Sequence, residues 1–296
     1  MRPQPTTGRL LARVNRKPAL ARARGRHNGQ VDVVSLGFRT DVAIRLAEGG
    51  QVIDCGDHIV IRSPDNPGYR WGNFVLLASP PRLGDLDGWQ ARFAGLFPDA
   101  TYQAFGVDVT DGPAACQDVF TEAGFETERS VVLTATGLSG APRHEAGRAV
   151  RPLAGEDDWR QSAELWAACA DPGEAGAAPA AYQEFATRRL AANRRLTETG
   201  RGTWFGAFAA GRLVAQLGLV RVGGGDARYQ DVETHPAFRR RGLAGRLICL
   251  AGRQALADPE VSRLVIVADP GYHAVRLYES LGFRPVEDQL GYVRTA

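Results

Sequence analysis

The chain predicts an α/β (α+β) fold made of two similar units, each a central mixed β-sheet flanked by helices. Three observations carry this expectation. Short apolar β-like runs alternate with helical stretches through residues 31–296. Residues 231–250 read as a strand, a tight turn rich in arginine and glycine, and a helix from Leu243 onward. Two distant stretches also repeat at a constant offset: Cys116–Phe125 lies over Ala274–Phe283, with Phe120 opposite Tyr278, and Phe74 onward lies over Val232 onward. Two unrelated α/β domains whose helices happen to end at Gly-Phe would give part of the same pattern.

The elements follow in order. Residues 31–46 read as a strand and a short amphipathic helix, with Phe38, Val42, Ile44 and Leu46 apolar. Residues 51–54 and 58–62 are β segments around a Cys55-Gly56-Asp57 turn, and Ser63–Gly68 is a loop by its turn residues. A buried strand at 71–78, a helix at 87–97 stopped by Pro98, and a strand at 104–109 come next. A helix at 116–123 closed by Gly124 and a strand at 128–135 complete the first unit. Residues 139–147 read as a linker, and the second unit opens at Val150. Glu156, Asp157 and Asp158 place negative charge at the start of its first helix. Residues 171–179 form an alanine- and glycine-rich loop, and residues 263–269 a strand. The expected division is a tail at 1–29, a first domain at 30–140 and a second at 147–296.

Composition sets outer bounds. A chain of 296 residues with 44% hydrophobic and 23% charged residues has room for about two globular domains. No apolar run approaches the ~20 residues needed to cross a bilayer, so no membrane partner is expected. The net charge of +3 conceals an asymmetry. Residues 1–30 carry seven arginines and Lys17 without an acid, a local +8, which leaves the remainder at −5. The tail has no apolar core and no signal-peptide apolar segment, and it reads as a disordered, solvated extension. A transit peptide or a nucleic-acid-binding arm would share its arginine richness. Nucleic acid is nonetheless not an expected partner, because the acidic remainder shows no basic, aromatic-interleaved face. Cys55, Cys116, Cys169 and Cys249 are scattered, as are the five histidines. The expectation is buried free thiols in a reducing cytoplasm and no metal site.

The segment 231–250 carries the chemistry. A tight turn before a helix aims unpaired backbone N–H groups and the positive end of the helix dipole at one point, which attracts phosphate. Gly242 and Gly245 would let a ligand approach the backbone, and Arg239, Arg240 and Arg241 supply cations. Neither G-x-x-x-x-G-K-[ST] nor G-x-G-x-x-G occurs here. A solvated strand-to-helix connection would look the same from this segment alone.

A second motif decides between these readings. Arg239-Arg240-Arg241-Gly242-Leu243-Ala244 fits [QR]-x-x-G-x-[GA], after Val232-Glu233-Thr234 and His235-Pro236. About thirty residues on, Ala274–Phe283 fits A-x-x-L-Y-E-x-x-G-F. In this order and spacing the two motifs resemble the GNAT superfamily of acyl-CoA-dependent N-acetyltransferases over roughly residues 147–296. The repeat makes the first half resemble a second, degenerate GNAT unit. Its loop at 81–88 holds Asp85 and Asp87 where the other has three arginines, and these carboxylates would repel a pyrophosphate.

The resemblance implies transfer of an acetyl group from acetyl-CoA to a primary amine of a small molecule or peptide. It implies that the backbone of Val232, Glu233 and Thr234 pairs with the pantetheine arm, and that amides from Arg240 through Leu243, Ala244 and Gly245 hold the pyrophosphate. It implies Tyr278 as general acid to the CoA thiolate; a core tyrosine on an amphipathic helix is the plainer alternative. The base is open. Residues 263–269 contain no glutamate, and Gln230 and Arg228 stand two and four positions before Val232. Asp231 and Glu233 are expected on the other face of the strand from these; Glu233 is a possible base, but a water relay or a residue from elsewhere in the chain is the preferred expectation. Gly271 stands where the family often has a cofactor-contacting asparagine. His235 and His273 are expected to be structural. Residues 171–179 fall where relatives often form part of the acceptor site. A non-catalytic acyl-CoA sensor or assembly module is the competing class, and a mycothiol-synthase-like tandem acetyltransferase the alternative within the class. Oligomeric state is not legible.

Overall fold

The computed structural model describes residues 32–82, 84–110, 117–140, 148–170, 179–271 and 273–295. The tail at 1–29, the linker segment 141–147 and residues 171–178 of the alanine- and glycine-rich loop lie outside them.

The first half runs α1 (Leu36–Ala47), β1 (Gln51–Asp54), β2 (His58–Arg62), β3 (Phe74–Leu77), α2 (Leu86–Leu96), β4 (Tyr102–Val107), α3 (Gln117–Glu122) and β5 (Glu126–Ala135). The second runs β6 (Arg148–Pro152), α4 (Gly155–Cys169), α5 (Pro179–Glu198), β7 (Gly202–Ala209), β8 (Arg212–Gly223) and β9 (Asp226–Thr234). It continues with α6 (Leu243–Leu256), β10 (Arg263–Ala268), α7 (Ala274–Ser280) and β11 (Arg284–Thr295). The offset seen in the sequence is therefore an offset of elements: β3-α2-β4-α3-β5 recurs as β9-α6-β10-α7-β11.

All eleven strands form one sheet in the order β1-β2-β3-β4-β11-β5-β10-β9-β8-β7-β6. The halves are joined by exchanging their last strands. β11 pairs antiparallel with β4 of the first half, and β5 pairs antiparallel with β10 of the second. The two exchanged strands also pair with each other, from Arg284↔Thr134 to Val293↔Glu126. The exchange is packed on both faces. Phe120 of α3 stacks on Tyr292 of β11 with ring centroids 4.0 Å apart. Both rings are buried in the first-half core with Phe38, Phe74, Phe93 and Phe105.

Helix α1 crosses the join. Residues 32–35 contain no strand, contrary to the sequence expectation. The N–H groups of Val34 and Ser35 and the Ser35 hydroxyl donate to Asp108 instead, so a side chain takes the place of a ladder. Gly37 N–H donates to Glu287 of β11, and Ile44 enters the core beneath α4 and α5 with Trp204 and Leu196. Cys116 lies outside the described residues; of the other cysteines, Cys249 is buried and Cys169 partly so, whereas Cys55 is an exposed thiol, because its turn projects from the β1–β2 edge.

Gly291 of β11 is fixed by the indole of Trp71, which lies where a Cβ would be. That indole donates to Glu128 at 2.8 Å. Gly291→Ala must displace the ring, and overpacking of this kind costs about 1–3 kcal/mol. A fall in thermal midpoint is the expected outcome, and an unchanged melt would show that Trp71 can move freely.

Candidate active site

The site is built where two parallel strands part. β9 pairs with β10 only at Asp226, Ala227 and Arg228. Beyond Arg228, β9 continues to Thr234 along β8, while β10 continues to Ala268 along β5. The edge of β9 from Tyr229 to Thr234 therefore faces a fork rather than a ladder partner. In the first half β3 stays paired with β4 to its last residue, Leu77↔Val107, and no such fork opens.

A bulge sits at the fork. The register with β8 shifts between Gln216 and Gly218, and Asp231 takes φ +48°, a left-handed conformation uncommon outside glycine but tolerated by aspartate. The extra residue resets the alternation, so the expected separation of faces fails. Gln230 accepts from Arg189 of α5 and Asp231 from Asn193 of α5. Glu233 accepts from Gln216, which accepts from Ser162 of α4. All three side chains meet the α4–α5 layer. Val232 packs on the opposite core with α6.

The strand ends at Thr234, and after His235 a single 3₁₀ turn, Pro236–Phe238, leads into the arginine loop. Arg240 (φ +62°) and Gly242 (φ +71°) both adopt left-handed conformations, and α6 begins at Leu243 with no side-chain cap. The first amides of α6, including those of Leu243, Ala244 and Gly245, therefore point forward without an intrahelical acceptor. Arg239 donates to the Thr234 carbonyl, and Arg241 donates to that of Ala237 while lying over the Phe238 ring. Two of the three guanidiniums thus brace the loop, and the chain around Gly242 leaves open space where a Cβ would project. Gly245 differs from expectation. Its missing Cβ points at Leu277 of α7, 3.4 Å away, so it serves helix packing rather than ligand approach.

Glu233 is the most perturbed acid near the fork. Burial pushes its carboxyl up to about 8, Gln216 partly opposes this, and the nearby charge of Asp231 adds to it. Cys169, which closes α4 beside it, is pushed up to about 11, chiefly by burial and then by Glu233, and stays a neutral thiol at pH 7. Tyr278 lies on α7 and is buried, its ring 6.3 Å from that of Phe283. His235 accepts from the Ala237 amide and caps the 3₁₀ turn, a structural role. Gly271 donates its N–H to Asp269.

On the α1 side of the fork a cavity of about 260 Å³ opens between the halves. Its floor is one face of the sheet, with Arg228 and Gln230 of β9, Val267 of β10 and Glu128 and Ser130 of β5 among its residues. Phe38, Asp41 and Arg45 of α1 form its roof, with Tyr69 and Trp71 at the side. Sequence reading missed this chamber because its walls come from both halves. Among the described residues no group of three or more His, Cys, Asp or Glu is placed to hold a metal ion, and no helix is long and apolar enough to cross a membrane.

Residues 161–283 match the sequence model of the acetyltransferase (GNAT) family. Similar solved structures cover nearly the whole chain. A functionally unknown conserved protein from Staphylococcus epidermidis superposes with TM-score 0.65 at 11% identity, over 83% of this chain and 94% of that one. A GCN5-related N-acetyltransferase from Kribbella flavida gives 0.60 at 15% identity, over 88% and 97%. A tandem GNAT protein from the clavulanic acid biosynthesis pathway gives 0.51 at 16%, over 88% and 94%. The fold is thus the tandem GNAT arrangement. A search of curated proteins gives no match.

Proposed function

We propose that the second half is an acetyl-CoA-dependent N-acetyltransferase acting on a primary amine, and that the first half, residues 30–140, serves as scaffold and acceptor wall rather than as a second cofactor site. The observation that carries this reading is the fork between β9 and β10 opening directly before the Arg239–Gly245 loop, inside the segment that matches the family. The open edge of Val232, Glu233 and Thr234 suits strand-like pairing with a pantetheine amide arm. The amides from Arg240 to Gly245 suit a pyrophosphate. A carbonyl at the bulge would meet backbone N–H groups as charge builds on its oxygen.

The acceptor amine would enter from the cavity side and attack the thioester carbonyl as the free base. The amine proton passes to Glu233, directly or through water, because its raised affinity for protons matches a base working near neutral pH. The C–S bond breaks and the CoA thiolate takes a proton from the Tyr278 hydroxyl, a phenol and a thiol being groups of comparable basicity. In the first half the corresponding residue is Phe120, which has no proton to give. A soluble enzyme of the cytoplasm fits this chemistry.

Burial of Tyr278 favours one competing reading, in which it is a core residue of a non-catalytic acyl-CoA sensor. Tyr278→Phe separates the two. Turnover, followed by CoA thiol release over an amine panel, should fall by about 10²-fold with acetyl-CoA affinity nearly unchanged. An unaltered rate would return Tyr278 to the core.

A further inference from the structure

The strand beside the fork carries a polar chain that ends on Glu233. Gln216 of β8 stands directly across the ladder from Glu233 of β9, so their side chains share one face of the sheet. The Gln216 Nε2 group donates to Glu233 Oε2 at 2.6 Å, and Gln216 Oε1 accepts from the Ser162 hydroxyl at 2.6 Å. Gln216 and Ser162 are enclosed, with 1% and 0% of their surface exposed. Glu233 is only partly covered, and its Oε1 has no hydrogen-bond partner among the described residues.

The chain has a direction. An ionised carboxylate only accepts, so the Gln216 amide turns its NH₂ toward Glu233 and its oxygen toward α4. The Ser162 hydroxyl donates its one proton to that oxygen and so opposes a flip of the amide. The support beneath is rigid. Gln161, next to Ser162 in α4, accepts from the Leu213 N–H at 2.7 Å, which fastens α4 to the strand carrying Gln216.

The first half shows that the fold does not require this pair. At the offset that lays Phe74 over Val232, Val75 lies over Glu233. Its partner across the ladder is Val60 of β2, and both valines are buried. One sheet position thus holds an apolar pair in one half and an amide with an acid in the other. Burying the polar pair costs free energy that the valines avoid, and exceptions of this kind gather at functional sites.

We infer that Gln216 is a positioning residue for acetyl transfer, tying down Glu233 Oε2 and leaving Oε1 to receive the amine proton, with Ser162 keeping its amide from flipping. The inference rests on the reading of Glu233 as the base and deepens it. The bond from Nε2 favours the ionised carboxylate and works against the burial that opposes it. Gln216 therefore keeps the base usable closer to neutral pH.

The test follows CoA thiol release by the full chain against pH, with acetyl-CoA and the amine of the panel that is turned over fastest. Gln216→Met keeps the side-chain length and removes the donor. The rising limb of kcat should move up by about one to two pH units, roughly a 10- to 100-fold loss at pH 7. Acetyl-CoA affinity by calorimetry should stay unchanged. Ser162→Ala should shift the limb the same way by less, and carries the test if the methionine variant does not fold. In a Glu233→Gln background, Gln216→Met should have no further effect on turnover, whereas a residue that merely packs would cost the same in both backgrounds. A limb that stays in place in the single variants, or equal costs in the two backgrounds, would overturn the role of Gln216 and leave Glu233 its own. A limb unmoved by Glu233→Gln alone, or no turnover across the panel, would overturn the reading beneath it instead, and the inference with it.

Discussion

Replacing Arg241 and Gly242 together by glutamate should raise the dissociation constant for acetyl-CoA by about 100-fold or more, with the fold intact. The loop now presents amides and a helix dipole to an anion, an attraction of about 0.3–2 kcal/mol for each such feature. The double change puts two carboxylates at the same point and removes one of the guanidiniums bracing the loop. Each tenfold in affinity is about 1.4 kcal/mol, so lost attraction and new repulsion together reach this size. Space around Gly242 is open, and its φ of +71° adds only about 1 kcal/mol of strain for a residue with a Cβ. Gly245→Ala is the control. Its methyl group meets Leu277 at ordinary contact distance, and binding should stay within a few-fold. Calorimetry showing undiminished affinity in the double variant would move the cofactor elsewhere.

Glu233→Gln should lower kcat by about 10²–10⁴-fold and remove the rising limb of the pH profile. The sign follows from the carboxyl standing at about 8. Below that pH Glu233 is protonated and unable to accept, so activity climbs as pH rises through 8. Stability runs the other way. An unfolded glutamate loses its proton near 4.5, whereas the folded one keeps it to about 8. The native state therefore binds the extra proton between these values, and stability falls as pH rises through that window. A neutral glutamine escapes the penalty, so the variant should melt higher at pH 8, by the equivalent of about 1–2 kcal/mol. A slower and less stable variant would mean that Glu233 braces α4 rather than serving as a base. An unchanged pH profile would pass the proton to another group.

What the sequence made legible was local. The strand, turn and helix at 231–250 could be drawn nearly to the residue, because Gly242 marks the turn and apolar spacing marks α6. The helices ending at Gly124 and Gly282 were legible for the same reason, since glycine takes the positive φ that closes each of them. The repeat followed from comparing the two. What remained hidden was long-range or a matter of one residue. No local signal distinguishes β5 paired with β10 from β5 paired with β4, because the alternation of its side chains is the same in either place. Asp231 carries no mark of its left-handed conformation, yet that one residue decides which face Glu233 occupies. Arg45, Arg189 and Arg228 read as ordinary surface cations until α1, α5 and β9 are packed together. Burial, which lifts the Glu233 carboxyl, is likewise a property of the assembled layers and not of residue order.

The exchanged strands have a consequence for how the molecule comes into being. β4 of the first half waits for β11, a strand made only after the elements of the second half that precede it, so this edge has no partner until then. A newborn first half thus presents an unsatisfied strand edge, a template for pairing with a neighbouring nascent chain. Its completion waits on the synthesis of β11, which ties the maturation of the first half to the far end of the second.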